Sequence, residues 1–321
     1  QVHSSDKQTL KDFLNLTNAI FADDPEWVRP LDQDVAGRLS RKENPFFDHG
    51  DAAAWVAYRA GKPVGRISAS VDESHLERYK DDAGFFGFFD TIDDQTVAAT
   101  LLDKAEQWCR DKDMKVIRGP FSLNVNEELG CLIDGFGSAP TIMMPHHQRY
   151  QGKLIEGAGY GKLKDFFSWK YAFGNIPKRA LRGHEQIASL PEITVRPVNM
   201  KNFTDEVRLI MDIYNDAWRN NWGFVPLTER ELDKMATDLK LIMIPSITRL
   251  VFIDGESAAV AMGIPNINEV VKNFNGKLNP ITAVRLLWWL KISGPKSGRL
   301  IILGVREKYR QVRKYAGLSA Y

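Results

Sequence analysis

Two rhythms of apolar and polar residues run along this chain, and each occurs in both halves. Over residues 64–71, within "WVAYRAGKPVGRISASV", Ile67, Ala69 and Val71 alternate with Arg66, Ser68 and Ser70. That period of two predicts a half-buried strand, the second of a hairpin turning near Gly61. "LVFIDGESAAVAMGI" (250–264) has the same shape, with Asp254-Gly255 as the hairpin turn. The helical rhythm is equally clear. Leu10, Phe13, Leu14 and Thr17 predict an opening helix, and Val97, Leu101, Ala105 and Trp108 predict another, capped by Asp93 or Asp94. In the second half Thr204 is expected to cap a helix carrying Val207, Ile210, Met211, Tyr214 and Trp218. Thr228 and Glu231 form a capping-box pattern for the next, with Leu232, Met235 and Leu239 inward. Asn279-Pro280 opens a later one.

An apolar strand ending in glycine closes each series: "MKVIRG" at Gly119 and "RLIILG" at Gly304. Read as a repeat, this order predicts a first domain over 1–175, a linker over 176–192 and a second domain over 193–321. The first half continues well beyond its glycine, to Lys170, whereas the second ends soon after its own. The expectation is a second domain that is C-terminally incomplete and lacks its closing strands.

Composition narrows the class. The 321 residues are 44% hydrophobic and 26% charged, the profile of a soluble globular protein with room for two domains. A net charge of +2 gives no broad field for polyanions, so no nucleic acid is expected and any basic site is local. Cys109, Cys131 and the six histidines show no metal-ligand spacing, and no metal is expected. No run of about 18 apolar residues occurs. The start, "QVHSSDKQ", has no signal core and no methionine. A cytoplasmic location is expected, with the natural start upstream.

Strand, one or two helices, hairpin, helix, strand: this order resembles the GNAT fold of acyl-CoA N-acyltransferases. It implies an α/β class, with α+β mixed sheets in two tandem GNAT-like domains. "NEELGCLIDGF", "PTIMMPHHQRY", "DFFSWKYAF" and "YNDAWRNNWGFVPLTERE" resemble the tandem GNAT-like family that includes bacterial ceramide synthases, and the likeness covers most of the chain. The resemblance implies acyl-CoA as co-substrate, no permanently bound cofactor, and a lipid-like amine acceptor such as 3-ketosphinganine. In GNAT proteins the fourth strand runs into a turn with a Gln/Arg-x-x-Gly-x-Gly/Ala signature, whose backbone N–H groups hold the cofactor's pyrophosphate. "RLIILGV" would be that strand. Lys314-Tyr-Ala-Gly317-Leu-Ser319 lies near the signature, with lysine for Gln/Arg and serine for the last small residue. The implied cofactor contacts are Gly304, Val305, Arg306, Arg310, Lys314, Ala316, Gly317 and Ser319. The competing reading is a basic helix start on a solvated surface. The first half has no such turn. "YQGKLIEGAGYGKLKDF" (150–166) resembles the last helix and strand of a GNAT domain, so the first domain is expected to keep the fold without the cofactor site.

Acyl transfer to an amine needs a deprotonated nucleophile, a polarised thioester carbonyl and a protonated leaving thiolate. A backbone N–H between Leu303 and Arg306 is expected to polarise the carbonyl. "RLIILGV" carries no glutamate. Candidate bases are Glu127 and Glu128 in "NVNEELG", then His146 of the His146-His147 pair. The alternatives are a hydrogen-bonded turn, and one packed ring beside one solvated ring. Trp218, Asn221, Trp222 and Phe224 in "AWRNNWGFVP" are candidates for the acceptor site or, equally, an aromatic core plug. "NPITAVRLLWWLKI" (279–292), containing Trp288, is apolar almost all round. It reads first as a buried helix, then as an acyl-chain wall or a segment touching the membrane surface. Two rival functions stay open: an aminoacyl-tRNA-dependent peptidyltransferase, which would want a broad basic face, and a non-catalytic lipid- or protein-binding module.

Overall fold

Both hairpins form where the period-two pattern breaks at a glycine. The structure, a computed structural model, describes residues 1–2, 6–172, 174 and 176–318. The chain divides into two compact units: Gln1–Asp165 with Ile267–Pro295, and Phe166–Asn266 with Lys296–Tyr321. In the first unit come α1 (Lys7–Ile20), α2 (Asp32–Arg38), β1 (Gly50–Arg59), β2 (Lys62–Asp72), α3 (Glu73–Tyr79), β3 (Ala83–Thr91), α4 (Gln95–Arg110), β4 (Val116–Arg118) and α5 (Gln151–Gly157). The sheet order is β1-β2-β3-β4; only β4 runs parallel to its neighbour. Ala60 and Gly61 both have positive φ, the turn whose twist suits an antiparallel pair. The Asp94 carboxylate caps α4, accepting from the N–H groups of Thr96 and Val97. Val97, Leu101 and Ala105 pack with Ile67 and Ala69 on one side of the sheet, and Phe13 of α1 packs with Val35, Phe46 and Phe88 on the other.

The second unit holds α6 (Lys178–Ala188), β5 (Ile193–Pro197), α7 (Phe203–Trp218), α8 (Glu229–Ile242), β6 (Thr248–Ile253) and β7 (Glu256–Pro265). α9 (Asn268–Val271) and α10 (Pro280–Trp288) then fall within 267–295, the segment that packs in the first unit. The chain returns as β8 (Gly298–Val305) and α11 (Glu307–Arg310). The sheet is antiparallel throughout, in the order β5-β6-β7-β8. Asp254 and Gly255 repeat the positive-φ turn. The Thr228–Glu231 capping box forms, and Leu232 and Leu239 are buried. α7 starts from Asn202 rather than Thr204, because the turn Met200–Asn202 feeds straight into the buried Phe203. Ile187 of α6 is buried with Val251, Ile253 and Leu318.

Four expectations need correction. Gly119 and Gly304 are not equivalent positions. "MKVIRG" contributes β4, parallel to β3, whereas β8 is antiparallel to β7 and follows its hairpin directly in the sheet. The counterpart of β8 is β3, "AGFFGFFDT". Its nine residues are all buried, so it shows no alternation. Second, β2 is not half-buried: Arg66, Ser68 and Ser70 are enclosed as well. Arg66 Nε donates to Asp90 at 2.8 Å and its Nη1 to the Phe13 carbonyl at 3.0 Å; Ser70 Oγ donates to the Leu123 carbonyl. Third, no closing strand forms over 160–166, where Leu163 and Phe166 are exposed. Fourth, α10 is not a core helix. Leu286, and Trp289 just beyond the helix end, pack on Val270, Val271 and Phe274, while Ile281, Val284, Leu287 and Trp288 are exposed.

That small cluster is anchored through Gly276. Asp32 N donates to the Gly276 carbonyl at 2.8 Å. Gly276 has φ of 75°, and a Cβ there would overlap the Arg29 side chain. Glycine is needed on both counts. Asn268 Nδ2 adds a bond to the Pro140 carbonyl at 2.9 Å.

Candidate functional site

A cleft of about 350 Å³ opens in the second unit, between the end of α7, the end of β8 and the segment after α11. Its lining includes Trp218, Asn221, Leu303, Gly304, Val305, Arg310, Tyr315 and Ala316. The strand builds it by pairing on one side only. Arg306 N donates to the Ala258 carbonyl at 2.9 Å, and Val260 lies opposite Gly304. Antiparallel hydrogen bonds alternate, so the N–H groups of Leu303 and Val305 point to the free edge of β8. The Leu303 carbonyl points the same way and accepts from Trp218 Nε1 at 3.0 Å. Gly304 lets the helix come this close, because a Cβ would lie 3.0 Å from the Cβ of Ala217.

Of the basic residues expected here, Arg306 and Lys314 are engaged by acidic partners and Arg310 is not, among the described residues. Arg310 lines the cleft, exposed, with no ion-pair partner among the described residues. Arg306 turns away: Nε donates to the Ser257 carbonyl at 2.8 Å, and Nη2 binds Ser257 Oγ and Asp212. Lys314 is paired with Glu192, whose hydrogen bond raises the lysine's pKa. Gly317 serves packing, since a Cβ there would lie 2.5 Å from the Gly183 carbonyl oxygen of α6. Ser319 lies outside the described residues. The first N–H of α11, on Glu307, already donates to Asp216 Oδ2 at 2.7 Å. The turn Arg313–Tyr315 has no side-chain cap.

Among the aromatic candidates, Phe224 is buried against Tyr214, with ring centroids 5.5 Å apart. It belongs to the core, and burial pushes the Tyr214 phenol up to about 12. Trp222 is partly exposed and meets the ring of Phe166 edge-on at 5.6 Å. Trp288, on α10, falls in the first unit.

Glu127, Glu128 and His146 also fall in the first unit. Arg38 Nε lies 3.3 Å from Glu127 Oε2, and Arg38 Nη2 lies 3.3 Å from Glu128 Oε1. Burial opposes the charge on Arg38, but Glu128, Glu127 and Asp34 outweigh it and raise the guanidinium pKa. The Glu128 carbonyl accepts from Ser122 N at 2.8 Å, so the acidic pair helps fold the loop. His146 Nε2 bonds Asp24 at 2.8 Å. His147 Nδ1 accepts from Leu132 N at 3.1 Å, and burial pushes its pKa down to about 4. Both rings are packed, contrary to the expected split between a packed and a solvated ring.

The equivalent junction in the first unit, between β3 and α4, is built differently. The Asp94 carboxylate holds the helix start and is paired with Arg59. A Cβ on Gly87 would overlap the Phe121 carbonyl, so the chain after β4 fills the space beside the strand. Six anticipated residues do meet at the cleft: Trp218, Asn221, Gly304, Val305, Arg310 and Ala316. Tyr315 and Leu318 line it too and went unnoticed, although both lie inside the quoted glycine segment. Asp216 carries no sequence signal, being one acidic residue among many on α7.

No protein-family model matches the chain. It is 39% identical to protein YghO of Escherichia coli over 309 residues, covering 95% of this chain and 78% of that one. It is 38% identical to the bacterial ceramide synthase of Caulobacter vibrioides over 306 residues, covering 94% and 79%. Among solved structures, a tandem GNAT protein from the clavulanic acid biosynthesis pathway superposes with a TM-score of 0.51 at 12% identity, covering 99% of this chain and 83% of that one. The last likeness concerns the fold; the two sequence relatives carry the kinship, and the chain belongs to the tandem GNAT-like acyl-CoA N-acyltransferase family that includes bacterial ceramide synthases.

Proposed function

We propose that this protein moves a fatty acyl group from acyl-CoA to the amine of a sphingoid base such as 3-ketosphinganine. Support comes from the cleft at the free edge of β8, where outward N–H groups meet an unpaired guanidinium. An N–H of Leu303 or Val305 donates to the thioester oxygen and strengthens as charge develops there. Arg310 supplies the cation for the pyrophosphate, aided by the amides of Arg313 and Lys314 at the start of a turn that has no side-chain cap. The amine nitrogen attacks the carbonyl carbon, the C–N bond forms, and the C–S bond breaks with its electron pair on sulfur. The proton released by the amine neutralises the thiolate directly or through water.

No carboxylate or imidazole lines the cleft among the described residues. An α-amino ketone suits such a site. An amine beside a carbonyl titrates at about 8, against about 10.4 for a plain alkylamine, so a useful fraction is neutral without a protein base. The relative named bacterial ceramide synthase supports a long-chain amine as acceptor.

The test uses purified protein with palmitoyl-CoA and 3-ketosphinganine, following released thiol and the N-acyl product by mass spectrometry. The amide is expected. A folded protein that forms no amide with any long-chain amine, and whose thermal stability ignores acyl-CoA, overturns the reading. A donor at a hundred times its Kd would otherwise stabilise by about 2.7 kcal/mol.

A further inference from the structure

We propose that the outer face of α10 docks the protein onto an anionic lipid bilayer. Ile281, Val284 and Trp288 recur at helical spacing and are 81%, 66% and 58% exposed; Ile292, in the wider turn Trp289–Ser293, continues the stripe at 69%. Arg285 lies on one flank and Lys291 on the other, both exposed and without an ion-pair partner among the described residues. The opposite face is committed, because Leu286 and Trp289 pack on Val270, Val271 and Phe274. The stripe therefore cannot turn inward without breaking that cluster.

Charge selects the occupant. Over 270–295, the part of this segment that holds α10, the sequence has no acidic residue, while Lys and Arg occur four times. A second copy docking through the same face would bring like charges together. An anionic surface receives the apolar stripe and attracts its flanking cations at once. The helix is too short to span a bilayer, and no helix among the described residues is long and apolar enough to do so. It lies in the surface plane instead. Its start is fixed beforehand, since Asn279 Oδ1 accepts from the N–H groups of Ile281 and Thr282. A preformed helix loses little conformational freedom on contact.

Docking goes beyond acyl transfer and is read without turnover, so either can fail alone. The experiment is co-sedimentation of the whole chain with vesicles of phosphatidylcholine, plain or containing about a third phosphatidylglycerol. Binding is expected to the anionic vesicles and to weaken in high salt. The double variant Val284→Ser/Trp288→Ser is expected to lose about tenfold in affinity. Arg285→Gln/Lys291→Gln is expected to lose the preference for phosphatidylglycerol, with circular dichroism and Tm unchanged. Absence of binding, or equal binding by folded variants, overturns the proposal. So does a concentration-dependent dimer in light scattering that the serine variant abolishes, which would assign the face to a second copy.

Discussion

The indole of Trp218 and the main chain of Leu303 are joined by one hydrogen bond, 3.0 Å from Nε1 to the carbonyl oxygen. It ties the last residue of α7 to the free edge of β8. Trp218→Phe keeps an aromatic ring and removes the donor. The loss of one such bond costs about 0.5–1.5 kcal/mol, a modest fall in the urea midpoint. The KM for acyl-CoA should rise more noticeably, because the strand edge that receives the thioester loses its brace. An unaltered KM would separate this rim from donor binding.

Arg310 and Lys314 are both basic and close in sequence, yet their surroundings differ. Arg310 lines the cleft and Lys314 is held by Glu192. Arg310→Ala is expected to raise the KM for acyl-CoA by about tenfold or more, as loss of a charge-assisted phosphate contact does. The difference should shrink in high salt. Lys314→Ala is expected to leave that KM near the parent value. The opposite ranking in steady-state kinetics would move the pyrophosphate toward the turn at Gly317.

Much of the fold was readable because hairpins and amphipathic helices have local signatures. The two glycine turns, the Asp94 cap and the Thr228–Glu231 box needed no tertiary information. β3 was illegible for the opposite reason: enclosed on both faces, it has no polar beat. Missing it shifted the repeat by one strand, so β4 was matched to β8. α10 failed differently. An apolar helix reads as core whether its partner is protein or something outside the chain. At the site, glycine-bearing strand and turn segments were visible in the sequence. Which cation is free was not, because Glu192 and Asp212 disarm Lys314 and Arg306 from distant positions.

Glu127 and Glu128 grip Arg38 in the first unit. Glu128→Gln should therefore lower Tm, since Arg38 is largely enclosed and loses part of its charge balance. It should leave kcat unchanged. Thermal melts and turnover with saturating substrates separate the two roles. A large fall in kcat with Tm intact would make this carboxylate the base after all.

His147 makes stability fall on mild acidification. Its folded-state pKa is pushed down to about 4 by burial, against about 6.5 in an unfolded chain. Above the unfolded value neither state takes the proton. As pH falls from about 6.5 toward 4, the unfolded state binds it and the folded state does not, so folding stability drops with pH. Complete titration across that window costs about 3 kcal/mol. His147→Asn can still accept from Leu132 N through Oδ1, and should flatten this part of the stability profile. Urea midpoints measured between pH 7 and 4 for both proteins check it; parallel curves would assign the acid sensitivity elsewhere.

A cleft without its own base makes the acceptor's acidity visible in the rate. With 3-ketosphinganine the amine titrates near 8, as an α-amino group does, and is substantially neutral at pH 7.5. Sphinganine carries two hydroxyls beta to its amine, which draw its pKa from the roughly 10.4 of a plain alkylamine down to about 9, so only a few per cent is neutral there. If the protein contributes only carbonyl polarisation and positioning, kcat/KM for the keto amine should exceed that for sphinganine by about tenfold at neutral pH. The advantage should vanish as pH rises from about 8 toward 10, because over that range it is chiefly sphinganine that still gains neutral fraction. Greater intrinsic nucleophilicity of the more basic amine offsets part of the gap without changing its slope. Parallel pH–rate profiles for the two acceptors would mean that a protein group removes the proton, and that the cleft is joined by a base from outside its present lining.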